Sequence, residues 1–350
     1  MPLRGRGAVS NPEGRFDRLT RDPYDDGWWP EEELTPLATT VRAERCRTII
    51  ARNDSPDIPF SQSINPYRGC EHGCVYCYAR PSHGYVGLSP GLDFETRLFA
   101  KVNAAEILRA ELARPGYACQ AIALGANTDP YQPIEREYRL TRQVIEVLSE
   151  CDHPLSVITK SSLIERDLDL LASLAQRNLV HAYISITTLD RQLARRMEPR
   201  ASAPSRRLET VRRLSAAGIP TGVLVAPVIP ALTDCDLERV LEAARAAGAR
   251  RAGYVLLRLP HELKDLFRQW LAIHAPLKAG HVMKLVREFR GGRDNDPRFG
   301  TRMRGQGRLA DLIEDRFAVA CRRLGFNRDA EFLDHVRFRP PTVGLQLPLF

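Results

Sequence analysis

From residue 61 onward the chain alternates short apolar stretches with amphipathic ones, and this rhythm limits the fold more than any other feature. Strand-like segments fall at 61–65, 121–125, 155–159, 180–187, 219–226 and 252–257, with helix-period segments at 140–150, 163–177, 189–196, 206–217 and 235–247 between them. Strand, helix and strand in succession pack as parallel neighbours joined by right-handed crossovers. Six such strands predict an α/β fold, an open partial (β/α)6 barrel over residues 60–260. Asn103, with Glu106 three residues later, is spaced to start a further helix ahead of Ile107, Leu108 and Leu112.

The flanks follow other rules. Residues 1–59 are polar and punctuated by Pro and Gly around Trp28-Trp29, which predicts an irregular N-terminal extension that wraps the barrel or stays partly disordered. Beyond the barrel, helical patterns at 262–273, 281–288 and 309–324 predict a helical C-terminal region over 261–339, interrupted by an Arg/Gly-rich loop at 290–308. Residues 340–350 read as an extended tail.

A hydrophobic share of 43% supports a sizeable core, and no apolar run approaches the length of a membrane span. The opening Met1-Pro2-Leu3-Arg4-Gly5-Arg6 lacks the apolar stretch of a secretory signal. Of eight cysteines, Cys46, Cys119, Cys151, Cys235 and Cys321 are scattered, as expected of reduced thiols in a cytoplasmic protein. The net charge is +8, which favours an anionic partner.

The other three cysteines are clustered, in Cys70-Glu71-His72-Gly73-Cys74-Val75-Tyr76-Cys77. Structural zinc takes four closed ligands, usually as two separated pairs. A cubane iron–sulfur cluster also takes four, so three cysteines leave one iron open to a small molecule. A zinc loop is the alternative reading. Chemistry in parallel barrels gathers at the C-terminal strand ends. There the sequence places Asn127-Thr128-Asp129-Pro130, Lys160, Ser185 and Thr187, Ala226-Pro227 and Arg258, all converging on the cysteine loop.

The loop spacing, with Tyr76 and Tyr78 flanking the last cysteine, resembles the radical SAM enzymes. Within them the chain is most similar to the DNA-repair-photolyase-like branch, whose characterised relatives are the spore photoproduct lyases. Closer still is an uncharacterised bacterial group sharing residues 125–132 and 290–305. The resemblance implies a 4Fe-4S cluster on Cys70, Cys74 and Cys77, with S-adenosyl-L-methionine on the open iron. Reductive cleavage of that molecule then yields a radical that abstracts hydrogen from a substrate. It further implies that Asp129 holds the aminium of S-adenosylmethionine, Lys160 its carboxylate, and Ser185 its ribose or methionyl end. The backbone around Ala226, in Val225-Ala226-Pro227, would line the adenine, and the Tyr78 backbone would meet its edge.

One departure stands out. The lyases carry a hydrogen-donating cysteine where this chain has Gly125 and Ala126, and Cys119 falls at the opposite strand end. Thymine-dimer reversal by that hydrogen-return route is therefore not expected, and neither Tyr131 nor Tyr138 is singled out as a replacement.

Residues 287–308 hold seven arginines against Glu288, Asp294 and Asp296. With Phe299 and five glycines, they suit either nucleic-acid contact or a folded lid, and the two aspartates favour a lid with specific pairs. The ending Gln346-Leu347-Pro348-Leu349-Phe350 resembles the peptide by which bacterial repair proteins dock on the sliding clamp. The leading expectation is a radical SAM enzyme, lyase or modifying, acting on a damaged or modified DNA base with an electron donor and no membrane. Alternatives are an RNA-modifying or protein-activating radical SAM enzyme, and a non-enzymatic clamp-associated metal-binding protein.

Overall fold

The computed structural model describes residues 5–16, 37–328 and 332–341. Trp28, Trp29 and the Gln346 to Phe350 peptide lie outside the described residues. Ten strands are present among them: β1 (Thr40–Glu44), β2 (Ile50–Arg52), β3 (Gln62–Ile64), β4 (Tyr67–Arg68), β5 (Arg97–Lys101), β6 (Ile122–Leu124), β7 (Leu155–Thr159), β8 (Val180–Ser185), β9 (Thr221–Val228) and β10 (Arg251–Leu256).

Seven of them form one sheet in the order β10-β9-β8-β7-β6-β3-β2. The six strands from β3 to β10 in that sheet are mutually parallel, and β2 adds antiparallel at the edge of β3. These six are the strands the alternation predicts, each within two residues at either end. β8 is almost wholly buried along its length, the pattern of a central parallel strand covered on both faces. Helices bury one stripe each against the sheet; in Leu140–Glu150 that stripe includes Leu140, Val144, Ile145 and Leu148. Asp190 starts Arg191–Met197 by accepting from the amides of Gln192 and Leu193 at 2.7 and 3.0 Å.

Some local expectations differ. Helix Ala104–Leu112 begins after Asn103 but without a side-chain cap. Asn103 instead grips the backbone of Cys46, accepting from its N–H at 2.8 Å and donating to its carbonyl at 3.0 Å. The stretch 163–177 divides into a 3-10 turn, Ser162–Asp167, and a helix, Leu168–Gln176. The helix expected at 281 starts earlier, at Pro276, where proline's missing N–H costs nothing. Within the N-terminal extension, β1 and β2 are ordered strands. β1 pairs parallel with β5, whose other edge takes β4, in a second three-stranded sheet. The partner of β1 lies far along the chain, so no local pattern announces it. No helix among the described residues is long and apolar enough to cross a membrane.

Candidate active site

β3 leads through β4 into the cysteine loop, which sits at the C-terminal ends of the parallel strands. Cys70 and Cys74 are buried, Cys77 is half-buried, and all three are free thiols. Burial, with Asp129 and the neighbouring sulfurs adding for Cys70, pushes these thiols above their ordinary value. The loop is held by its backbone: Cys70 N–H donates to Phe94 O at 2.9 Å, Glu71 N–H to Gln132 Oε1 at 2.9 Å, and Val75 N–H to Met197 O at 3.0 Å.

Beneath the loop lies Arg80, fully buried. Its guanidinium donates to the carbonyls of Cys74 (2.8 Å), Gly73 (3.1 Å), Gly91 (2.8 Å) and Pro90 (3.1 Å), and pairs with Glu95. Glu95 accepts in turn from the amides of Gly7 at 2.9 Å and Ala8 at 2.7 Å, clamping the N-terminal segment over the loop. The approach admits no side chain: a Cβ on Gly7 would stand 1.7 Å from Gly73 O.

A second buried network supports the far side. Glu198 pairs with Arg207 and accepts from Tyr76 Oη and from Thr187 Oγ1, the latter at 2.8 Å. Arg207 also donates to Ser185 O at 3.0 Å. Tyr76 and Ser185 are therefore fixed through one carboxylate. Sequence reasoning missed Arg80, Glu95, Glu198 and Arg207, since no spacing distinguishes a buried arginine from a solvated one.

The strand-end residues converge as expected. Lys160, after β7, places Nζ 3.5 Å from Ala226 O and 5.8 Å from the Tyr76 ring centroid. Ser185 is buried at the end of β8. Tyr78 stands at the mouth with 46% of its surface exposed and donates its hydroxyl to Ala126 O. Arg258, after β10, lies 5.5 Å from the Tyr78 ring centroid.

Asp129 also braces the loops around it. Its Oδ1 accepts from Tyr131 N–H at 2.9 Å and Thr159 Oγ1 at 2.6 Å, and its Oδ2 from Lys160 N–H at 2.7 Å. His72 Nδ1 lies 3.3 Å away. Burial pushes the carboxyl up, but His72, Thr159 and the Lys160 amide outweigh it and bring the group down to about 2. The carboxylate braces two strand-end loops against the cysteine loop.

Gly125 has φ 94°, and a Cβ there would meet Ile158 O at 2.2 Å, so no side chain fits. Cys119 precedes β6 and follows Ala118, whose carbonyl accepts from Gln62 at the start of β3. That is the end away from the mouth. Tyr131 is fully buried and donates to Asp167 at 3.0 Å.

The arginine-rich loop is folded and pinned. Arg290 is buried and donates to the carbonyls of Leu256, Leu257, Thr301 and Arg302 at 2.6–3.1 Å. Arg298 pairs with Asp296, Arg302 with Asp57, Arg304 with Glu314, and Asp294 takes both Arg268 and Arg287. Its arginines are held in specific pairs.

Among the described residues no three His, Cys, Asp or Glu side chains are arranged to hold a single ion. A cubane asks for something else, since its ligands bind separate irons at separate corners. Three thiols on one loop, two buried and one half-buried, with no fourth protein ligand beside them among the described residues, fit that group, and iron would replace the protons that burial retains.

A parallel half-barrel carrying a three-cysteine loop at its mouth is the arrangement of an iron–sulfur enzyme that uses S-adenosylmethionine. The chain belongs to the radical SAM superfamily, whose family profile matches residues 64–244. That superfamily uses a 4Fe-4S cluster and S-adenosylmethionine. The chain is 38% identical to an uncharacterized protein of Mycobacterium tuberculosis over 280 residues, 76% of this chain and 82% of the relative. It is 29% identical to a radical SAM Nalpha-GlyT isomerase of Pseudomonas phage M6, over 54% of this chain and 38% of that protein. In fold it matches spore photoproduct lyase complexed with dinucleoside spore photoproduct, with TM-score 0.60 and 17% identity over 82% of this chain and 80% of that one.

Proposed function

We propose that this enzyme abstracts hydrogen from a base in nucleic acid, in DNA rather than RNA, and that the base is damaged or modified. The observation that carries the reading is the mouth itself, where the cysteine loop, Lys160, Ser185 and Ala226 meet an arginine-bearing lid. The fold likeness to a lyase solved with a dinucleoside lesion points the same way. When bound, the cluster and S-adenosylmethionine together supply the radical that removes the hydrogen atom.

The chain's own residues then have separable duties. Cys70, Cys74 and Cys77 hold the iron. Lys160 would pair with the methionyl carboxylate, and among the described residues its Nζ has a single hydrogen bond, to a carbonyl at 3.5 Å, and no carboxylate partner. Ser185 would meet the ribose or methionyl end, the Ala226 carbonyl and the Tyr78 backbone the adenine. Asp129 braces the strand-end loops and would hold the aminium with its remaining acceptor capacity. Arg80 and Glu95 seat the N-terminal strap that shields the loop from water and oxygen.

The Gln346 to Phe350 peptide would bring the enzyme to DNA through the sliding clamp in the cytoplasm, where an electron donor reduces the cluster. The decisive test is anaerobic reconstitution with iron and sulfide, followed by dithionite, S-adenosylmethionine and an assay for 5′-deoxyadenosine. Stimulation by lesion-bearing DNA supports the reading. Stimulation by RNA alone redirects it, and no cluster at all sinks it.

A further inference from the structure

Buried arginines in this molecule are supplied with acceptors. Arg80 has Glu95 and four carbonyls, Arg207 has Glu198 and two carbonyls, and Arg290 has four carbonyls on its Nη groups, though its Nε has no partner among the described residues. Arg258 departs from this rule. It is half-buried, and its Nε is shut away from solvent with no hydrogen-bond partner among the described residues. The acceptor its guanidinium does reach is the thioether of Met303, 3.4 Å from Nη1, and thioethers accept weakly.

Its surroundings do not make good the lack. Asp57, the carboxylate that acts on it, is already taken by Gly300 N–H and by Arg302 Nε, both at 2.7 Å. Arg302 and Arg290 add positive charge nearby. Leaving a cationic donor buried and unsatisfied costs more than an ordinary missing hydrogen bond. The cost is borne at the mouth, after the last parallel strand and against Tyr78, the residue following the third cysteine.

We infer that Arg258 is the receptor for a phosphate of the nucleic-acid substrate, one nucleotide's charge held at the lip of the mouth beside the half-exposed Tyr78 ring. This rests on the nucleic-acid reading above and names its contact. A guanidinium offers a planar fork of donors that matches phosphate oxygens, and Arg290, whose Nη groups are spent on carbonyls, and Arg302, paired with Asp57, set the positive field around it. The pairs Asp296–Arg298 and Asp57–Arg302 keep the neighbouring loop in place, so that Arg258 is left with no oxygen acceptor for its guanidinium among the described residues.

The test uses the cluster-loaded protein and a short fluorescent single-stranded DNA, alongside the same strand with one uncharged methylphosphonate linkage walked along it. For the unaltered protein, one linkage position should weaken binding by about ten- to a hundredfold, the range of a charge-assisted hydrogen bond. Arg258→Gln should bind the native strand as weakly and lose sensitivity to that linkage. Its salt dependence should be shallower by about 0.7 in log–log slope, one single-strand phosphate. Arg258→Lys should recover part of both. Cluster absorbance in each variant verifies that the loop is intact. If the unaltered protein binds DNA and Arg258→Gln binds it equally well with the same slope, the inference fails while the nucleic-acid reading stands. It fails in the same way if Arg258→Gln weakens binding of S-adenosylmethionine alone. If the unaltered protein binds no DNA, both fail.

Discussion

Arg80 and Glu95 form an ion pair with no solvent exposure on either side chain, directly beneath the cysteine loop. Removing one partner leaves a buried charge without its counter-charge. Glu95→Gln is expected to lower stability by about 3–5 kcal/mol in urea unfolding and to impair cluster retention. Glu209→Gln, on an exposed helix pair with Arg212, should leave the unfolding midpoint nearly unmoved.

Each of Cys70, Cys74 and Cys77 should be indispensable to iron binding. Cys74→Ala is expected to lose the visible absorbance of the reconstituted cluster and all 5′-deoxyadenosine formation. Cys119→Ala, at the far strand end, should retain both.

Lys160 is the cation assigned to the methionyl carboxylate. Lys160→Met keeps the stem and removes the charge, and should weaken S-adenosylmethionine binding by about ten- to a hundredfold. Equilibrium dialysis with the cluster-loaded protein reads this directly; unchanged affinity would return Lys160 to a packing role.

Acid should destabilise the fold through two histidines remote from the mouth. Burial pushes His153 down to about 4, helped by His335, and burial with nearby Arg251 pushes His181 to about 4 as well. Both fold neutral, whereas the unfolded chain binds protons near the ordinary 6.5. Their contribution is whole above that value and is lost as pH falls from about 6.5 to about 4, at up to about 1.4 kcal/mol per pH unit for each. Urea midpoints measured down that range should fall, and His153→Gln should flatten the descent.

The terminal peptide predicts a pull-down on the bacterial sliding clamp. Deleting Gln346 to Phe350 should abolish it without altering cluster content. Equal recovery with and without the peptide would remove the clamp from the proposal.

The parallel sheet was legible because each of its strands carries its own apolar pattern, as β7 and β8 do, and strand–helix alternation dictates the parallel order. β1 was not, because Thr40 to Glu44 become a strand only by lying along β5, a tertiary event with no local signature. The cysteines and the strand-end Lys160, Ser185 and Ala226 could be placed, since position along a barrel strand decides which residues meet. The bracing contacts of Asp129 were not legible. Its place at the mouth followed from the sequence, but its three close donors, from Tyr131, Thr159 and Lys160, exist only once the loops have packed. Arg80 and Arg290 were hidden for a related reason: whether an arginine is a surface charge or a buried carbonyl-binding hub depends on distant backbone.

The clamp of Gly7 and Ala8 onto Glu95 spans nearly ninety positions of sequence. Residues made early must wait for residues made much later before they can seat, and Gly7 closes onto Gly73 only when the cysteine loop has taken its final shape. The strap and the cysteine loop therefore complete one another, and neither takes its final shape without the other.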